Sequence, residues 1–276
     1  PLLLVVALGL GGCGSPLAFT PASPVVELPT PTPAPSSDPD PAPSAGEEAV
    51  TSWPPVPILM YHQIGDPPPD HPWPDLYVSR ETFAAQLDWL EEKGFHPLTL
   101  KEVLSAWHEG RALPPNPVVI TFDDGYASTV EVALPLLQQH SFQATLFLQG
   151  NILGRPGAVT ETMVQTWLQA GMELGSHTMR HLDLTRVSEK DREGEVGGSR
   201  SFLEKTFAVP VLTFAYPAGR SNEKARAMVE EAGYEAAVTT RPGCAQATDD
   251  LFLLPRLRIS GGDTLEAFAR KVACPP

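Results

Sequence analysis

From Pro57 onward, short apolar runs alternate with segments whose apolar residues recur at helical spacing. PILMYH, VVITFDD, QATLFL, MELGSH, LTFAYP, EAAVTT and LLPRLRI read as strands. Between them, SRETFAAQLDWLEEKG places Phe83, Leu87 and Leu90 on one face, opens on Ser79 as a cap and stops at Gly94. TLKEVLSAWHEG carries Thr99 and Glu102 at capping-box spacing, NEKARAMVEEAG ends at Gly233, and DTLEAFARKV repeats the box spacing with Asp263 and Glu266. Gly197 and Gly198 interrupt an otherwise helical run. Fully apolar strands separated by helices imply parallel pairing with helices outside, hence an α/β barrel or an open doubly wound sheet, in one domain spanning 57–276.

The pattern changes ahead of that domain. Thirteen prolines lie between Pro16 and Pro57, in a stretch with no Lys or Arg and no apolar period, so residues 14–56 are expected to be a semi-extended tether. Residues 1–13, PLLLVVALGLGGC, have the length of a signal-peptide core, and a basic segment and an initiating Met are expected ahead of them. The closing LGGC resembles the lipobox of bacterial lipoproteins. By that resemblance Cys13 bears lipid, and the protein is exported and anchored to the cell envelope. Cys244 and Cys274 then remain in an exported context where a disulfide persists; two free thiols are the alternative.

Functional residues of parallel α/β proteins gather at the carboxyl ends of strands. Here those ends carry His62, the pair Asp123 and Asp124, His177 with His181 just beyond, and Arg256 or Arg258. Two adjacent carboxylates repel each other at the end of a buried strand unless a cation offsets them. Both reach one site only if the chain turns there, which Gly125 permits. One carboxylate can then hold a cation while its neighbour faces a water. His177 and His181, with three residues between them, supply two imidazoles, and two His with one carboxylate leave room for water as at catalytic zinc, although iron, cobalt or nickel suit the same ligands. HExxH chemistry is excluded because Thr178 follows His177. The formal charge of -14 argues against binding nucleic acid or anionic lipid.

TFDDGY, SHTMRH and FAYPAG together resemble the first three motifs of the polysaccharide deacetylases of carbohydrate esterase family four, the NodB-type homology domain. The resemblance runs from about Pro57 to the C terminus. It implies a distorted, incomplete (β/α) barrel that hydrolyses N-acetyl groups of an amino-sugar polysaccharide, with Asp123 as base and Asp124, His177 and His181 holding one divalent ion, zinc first. Backbone N–H groups around Tyr216, Pro217, Ala218 and Gly219 are the matching oxyanion donors.

Two departures matter. The usual acid is a His near the C terminus, and this chain has none after His181; instead His62 ends the first strand. That placement resembles the circularly permuted branch acting on poly-β-1,6-N-acetylglucosamine, in which such a His is the acid. The usual Arg two residues before the motif proline is Ala215, so Arg256 or Arg258 is the candidate to orient the base. Trp73, in a proline-rich strand-end loop, is a candidate sugar platform, whereas Trp89, Trp107 and Trp167 read as packing residues. Peptidoglycan and chitin oligomers are the alternative substrates, and xylan acetyl esters a third. A carbohydrate-binding lipoprotein with a relic site is the alternative of another class.

Overall fold

The computed structural model describes residues 52–274. The expected leader with Cys13, and the expected tether as far as residue 51, lie outside the described residues. In chain order the elements are β1 (Ile58–Tyr61), β2 (Gln63–Ile64), β3 (Tyr77–Val78), α1 (Arg80–Glu92), β4 (His96–Leu98), α2 (Leu100–Glu109), β5 (Pro117–Phe122), α3 (Leu134–Gln139), β6 (Thr145–Leu148) and α4 (Glu161–Gln169). They continue with β7 (Glu173–Ser176), α5 (Glu189–Phe207), β8 (Thr213–Ala215), α6 (Glu223–Glu231), β9 (Ala236–Val238), β10 (Leu257–Arg258) and α7 (Leu265–Val272). Six of the seven expected strands contain one of these, shorter by two residues or more, and β5 starts one residue before its expected run and ends two before it. The three the pattern missed, β2, β3 and β4, are too short to show a period.

The main sheet is parallel in the order β10-β1-β5-β6-β7-β8-β9, with β4 on the early part of the β5 edge that β6 uses further along. It curls until Leu254 bridges Val238 of β9, with Leu254 N donating to Ala237 O at 3.0 Å and Thr239 N to Leu254 O at 2.9 Å. That seam is a single bridge because the last strand is two residues long, which gives the distorted, incomplete (β/α) barrel that the resemblance implied. β1, first in sequence, lies between β10, last in sequence, and β5.

The period of two along the strands sorts the side chains into two cores. Leu59, Tyr61, Ile120, Phe122, Leu146, Leu148, Leu174 and Phe214 pack outward under the helices. Ile58, Val119, Phe147, Ala215, Ala236 and Val238 point inward and meet Leu100, Val103, Leu104 and Trp107 of α2, which closes the floor of the barrel. Leu100 N donates to Thr145 Oγ1 at 3.1 Å and Lys101 N to Glu173 Oε2 at 3.0 Å, at the amino ends of β6 and β7. The barrel is thereby filled and sealed from below, and its inward row remains open only at the carboxyl ends.

Helix ends follow local chemistry. Ser79 caps α1, and Thr99 with Glu102 forms the capping box of α2, which stops at left-handed Gly110. At α7 the expectation is corrected: Thr264 is the cap, accepting from Ala267 N, while Asp263 turns back to accept from Ser260 N at 2.8 Å and Lys271 Nζ at 2.6 Å. α5 runs unbroken through Gly197 and Gly198, and no close approach explains them. Among the described residues no helix is long and apolar enough to cross a membrane.

Cys244 and Cys274 are disulfide-bonded, with Cα atoms 5.7 Å apart. The bond ties the end of α7 to the β9–β10 connection, where Ala245 and Val56 exchange two hydrogen bonds of 2.8 Å. Closing a loop of 30 residues stabilises the fold by about 3–4 kcal/mol through the unfolded state. Replacing both cysteines by serine is therefore expected to lower the thermal midpoint by several degrees; an unchanged midpoint would contradict this.

Candidate active site

The inward row continues past the last residue of each strand, and it is this row that carries the chemistry. Two residues beyond Met60 on β1 comes His62; two beyond Thr121 on β5, Asp123; two beyond Gly175 on β7, His177. All three line one cleft of about 780 Å³ with Asp124 and His181.

Asp123 is held at the strand end by its N–H to Tyr61 O at 2.9 Å. The chain then turns through left-handed Asp124 (φ 71°) and Gly125 (φ 100°), which brings the second carboxylate onto the same side. A side chain at residue 125 would collide with Leu148, so glycine is needed for space as well as for φ. Left-handed Thr178 (φ 67°) and His181 (φ 59°) fold the other motif back in the same way, with His181 N donating to Thr178 Oγ1 at 2.9 Å. Four strained or permissive positions in two short loops mark where the fold gives up local comfort for geometry.

His177 Nδ1 lies 2.7 Å from Ala215 O, a contact that requires N–H on Nδ1 and leaves Nε2 facing the cleft as a lone-pair donor. Asp124 Oδ1 is 3.4 Å from His177 Nε2 and 3.6 Å from His181 Nε2, and the three ligand atoms lie within 4.8 Å of one another. Tetrahedral zinc with bonds of about 2.0–2.1 Å separates its ligands by about 3.3–3.4 Å, so the donor set fits such an ion. Burial lowers the basicity of His177, but Asp124, Asp123 and the Ala215 carbonyl outweigh it and raise its pKa. Burial likewise pushes Asp124 up, and the His177 hydrogen bond and charge bring it below the usual carboxylate range. His181 is lowered by burial and by the charge of His177.

Asp123 belongs to a different pair. Arg256 Nη1 and Nη2 donate to its two carboxylate oxygens, both at 2.7 Å. Arg256 is fully buried, donates also to Thr239 O at 2.9 Å and Thr121 Oγ1 at 3.1 Å, and lies over the Phe147 ring. Burial raises the Asp123 carboxyl, yet the guanidinium holds it far below the ordinary range. Of the two arginines weighed for this contact, Arg256 makes it. Arg258, one step higher on the inward row of β10, is exposed at the cleft. His62 is half-buried there; burial lowers its pKa, while Asp123 and Asp124 raise it and Arg258 and Arg256 lower it.

The FAYPAG segment needs a correction. Tyr216 falls on the outward row, packs on Phe214 with ring centroids 5.3 Å apart, and does not line the cleft; its N–H is used by Val238 O at 3.1 Å. Pro217 has no N–H, and Gly219 N donates to Tyr216 O at 2.8 Å. Ala218, left-handed at φ 51°, lines the cleft, and its N–H has no partner among the described residues. Gly219 is required by the close approach of Thr240.

Trp73 stands at the mouth, 65% exposed. Residues not foreseen also line the cleft: Tyr126, Gln149, Ile152, Arg180, Arg220 and Thr240. Gln149 and Thr240 follow strands β6 and β9, so the strand-end rule had the signal for both, and Arg180 sits inside the SHTMRH motif itself.

Residues 110–237 match the family model for polysaccharide deacetylase. YxkH of Bacillus subtilis (strain 168), a polysaccharide deacetylase by name, is 32% identical over 213 residues, covering 77% of this chain and 74% of that one. The poly-beta-1,6-N-acetyl-D-glucosamine N-deacetylase of Escherichia coli (strain K12) is 25% identical, covering 78% of this chain but only 38% of its own length. Among solved structures, the Streptococcus pyogenes deacetylase PplD in complex with acetate superposes with a TM-score of 0.75 at 28% identity, covering 80% of this chain and 99% of that one. The chain belongs to the polysaccharide deacetylase family, hydrolases of N-acetyl amides.

Proposed function

We propose that the protein removes N-acetyl groups from an N-acetylglucosamine polysaccharide outside the cytoplasm, with Asp124, His177 and His181 holding one divalent cation, zinc first and iron, cobalt or nickel on the same ligands. The observation that carries this reading is the split of the adjacent acids: Asp124 Oδ1 faces two imidazole nitrogens at 3.4 and 3.6 Å, while Asp123 is locked on Arg256 at 2.7 Å. When bound, the cation supplies Lewis-acid polarisation of the acetyl carbonyl and lowers the pKa of water beside it.

The chain's own groups carry the protons. Asp123, oriented by Arg256, accepts a proton from the attacking water as a C–O bond forms at the acetyl carbon. The unclaimed Ala218 N–H donates to the oxygen on which charge then develops. His62 donates a proton to the departing amine as the C–N bond breaks, leaving acetate and a free amino sugar. An imidazolium below its ordinary pKa is the stronger acid, at the cost of a smaller charged fraction at neutral pH. Trp73 presents its ring to a sugar face at the mouth.

The linkage we favour is β-1,6, because the acid comes from β1, placed between β10 and β5. The 25% identity to a poly-beta-1,6-N-acetyl-D-glucosamine N-deacetylase supports it. We also propose export on a lipid carried by Cys13, for which the lipobox-like LGGC, the proline-rich tether and the Cys244–Cys274 disulfide are the support.

Acetate release from β-1,6- and β-1,4-linked N-acetylglucosamine oligomers, with and without a chelator, tests the reading. We expect faster release from the β-1,6 oligomer, abolished by chelation and restored by zinc. Release that survives complete chelation would overturn the metal assignment, a faster β-1,4 reaction the linkage, and silence on every acetylated sugar the activity.

A further inference from the structure

Arg258 lines the cleft, and beyond its lowering of the His62 pKa neither the fold nor the reaction above uses its charge. It lies on the inward row two residues beyond Arg256, and the pairing of Met60 with Arg258 sets it beside the end of β1 that carries His62. The other arginines around the cleft are matched. Arg256 is held by Asp123, Arg180 by Glu195 at 2.6 Å and Asp191 at 3.2 Å, and Arg220 by Asp183 at 3.0 Å. The acid nearest to Arg258 in sequence, Asp263, already accepts from Lys271 Nζ and Ser260 N. Among the described residues Arg258 has no carboxylate partner and no hydrogen bond from its guanidinium. In a chain of formal charge -14, with 33 acids to choose from, a free guanidinium at the catalytic cleft points to an anion that the ligand brings. With a divalent cation on Asp124 the cleft carries net positive charge, which favours the same ligand.

We propose that Arg258 is a specificity-determining residue that binds an anionic substituent, a carboxylate or a phosphate, on the sugar next to the one being deacetylated. A guanidinium fork matches both groups, each through two parallel N–H···O bonds. The inference rests on the deacetylase reading but not on the linkage, since β-1,6 and β-1,4 chains both leave hydroxyls free to carry such a group. A contact with a substituent that does not react is made alike in the ground and transition states, so its contribution falls on KM more than on kcat.

The test compares three N-acetylglucosamine tetrasaccharides of one linkage: unsubstituted, carrying a lactyl carboxylate on one sugar, and carrying a phosphate monoester at the same position. For the full-length metal-loaded protein, kcat/KM is expected to be about tenfold higher on at least one charged substrate than on the neutral one, the worth of one charge-assisted hydrogen bond. The margin is expected to shrink as salt rises. Whichever acid shows the larger margin identifies the source of the anion. In Arg258→Gln the charged-to-neutral ratio is expected to fall to about one, and in Arg258→Glu below one. Equal rates on all three substrates in the unaltered protein, or a ratio that survives both substitutions, would overturn the proposal while leaving the deacetylase reading intact. No acetate from any of the three would overturn both.

Discussion

Asp123→Asn is expected to lower kcat by a factor of about 10²–10⁴, the usual contribution of a positioned general base. Asn keeps the shape of the side chain and one acceptor for Arg256, whose bonds to Asp123 are both 2.7 Å, so the loop should hold its position. The loss should therefore fall on kcat and leave KM within a few-fold. Near-normal turnover of the variant, measured as acetate release, would mean that another group takes the proton.

Arg256→Leu carries the largest expected cost in stability. The pair is buried on both sides, so removing the guanidinium leaves an uncompensated carboxylate in the barrel, at about 3–5 kcal/mol. In the intact protein Asp123 sits below its unfolded pKa of about 3.9, so it stabilises the fold above that pH and the benefit fades as acid protonates it. Without Arg256, burial is opposed only by the charges of His177 and His62 and raises the carboxyl, so the folded form resists ionisation and loses stability as pH rises through the unfolded value. The gap between the two proteins in urea unfolding should be narrower near pH 3 than at neutral pH, where it is widest. A second change, Asp123→Asn, should restore much of the stability and none of the activity. An equal gap at both pH values would contradict the buried-pair argument.

Much of this was legible in the sequence because the barrel repeats one rule. Seven apolar runs located the strands, and polar residues immediately past their ends formed one cleft: His62, Asp123, Asp124 and His177. Parity along the strands also separates inward His177 from outward Tyr216. The choice between Arg256 and Arg258 was different. Both have the inward parity, Arg256 just before β10 and Arg258 at its end, and only the register with β1 sets the depth that puts one against Asp123 and the other at the surface. Ala218 could not be singled out either, since its free N–H results from where Tyr216 and Gly219 send theirs. α5 read as a helical run broken by Gly197 and Gly198, because its buried face mixes Val196, Leu203 and Phe207 with polar contacts, Glu195 on Arg180, Arg192 on the Leu184 carbonyl and Ser199 on Ser176.

The central claim is that two neighbouring carboxylates have separate tasks, Asp124 on the cation and Asp123 on the water. Metal content after equilibrium dialysis against zinc, compared between Asp123→Asn and Asp124→Asn, tests it most directly. The account predicts about one equivalent retained in Asp123→Asn, with tenfold or greater weakening of zinc binding in Asp124→Asn. Metal lost from Asp123→Asn and kept by Asp124→Asn would contradict it.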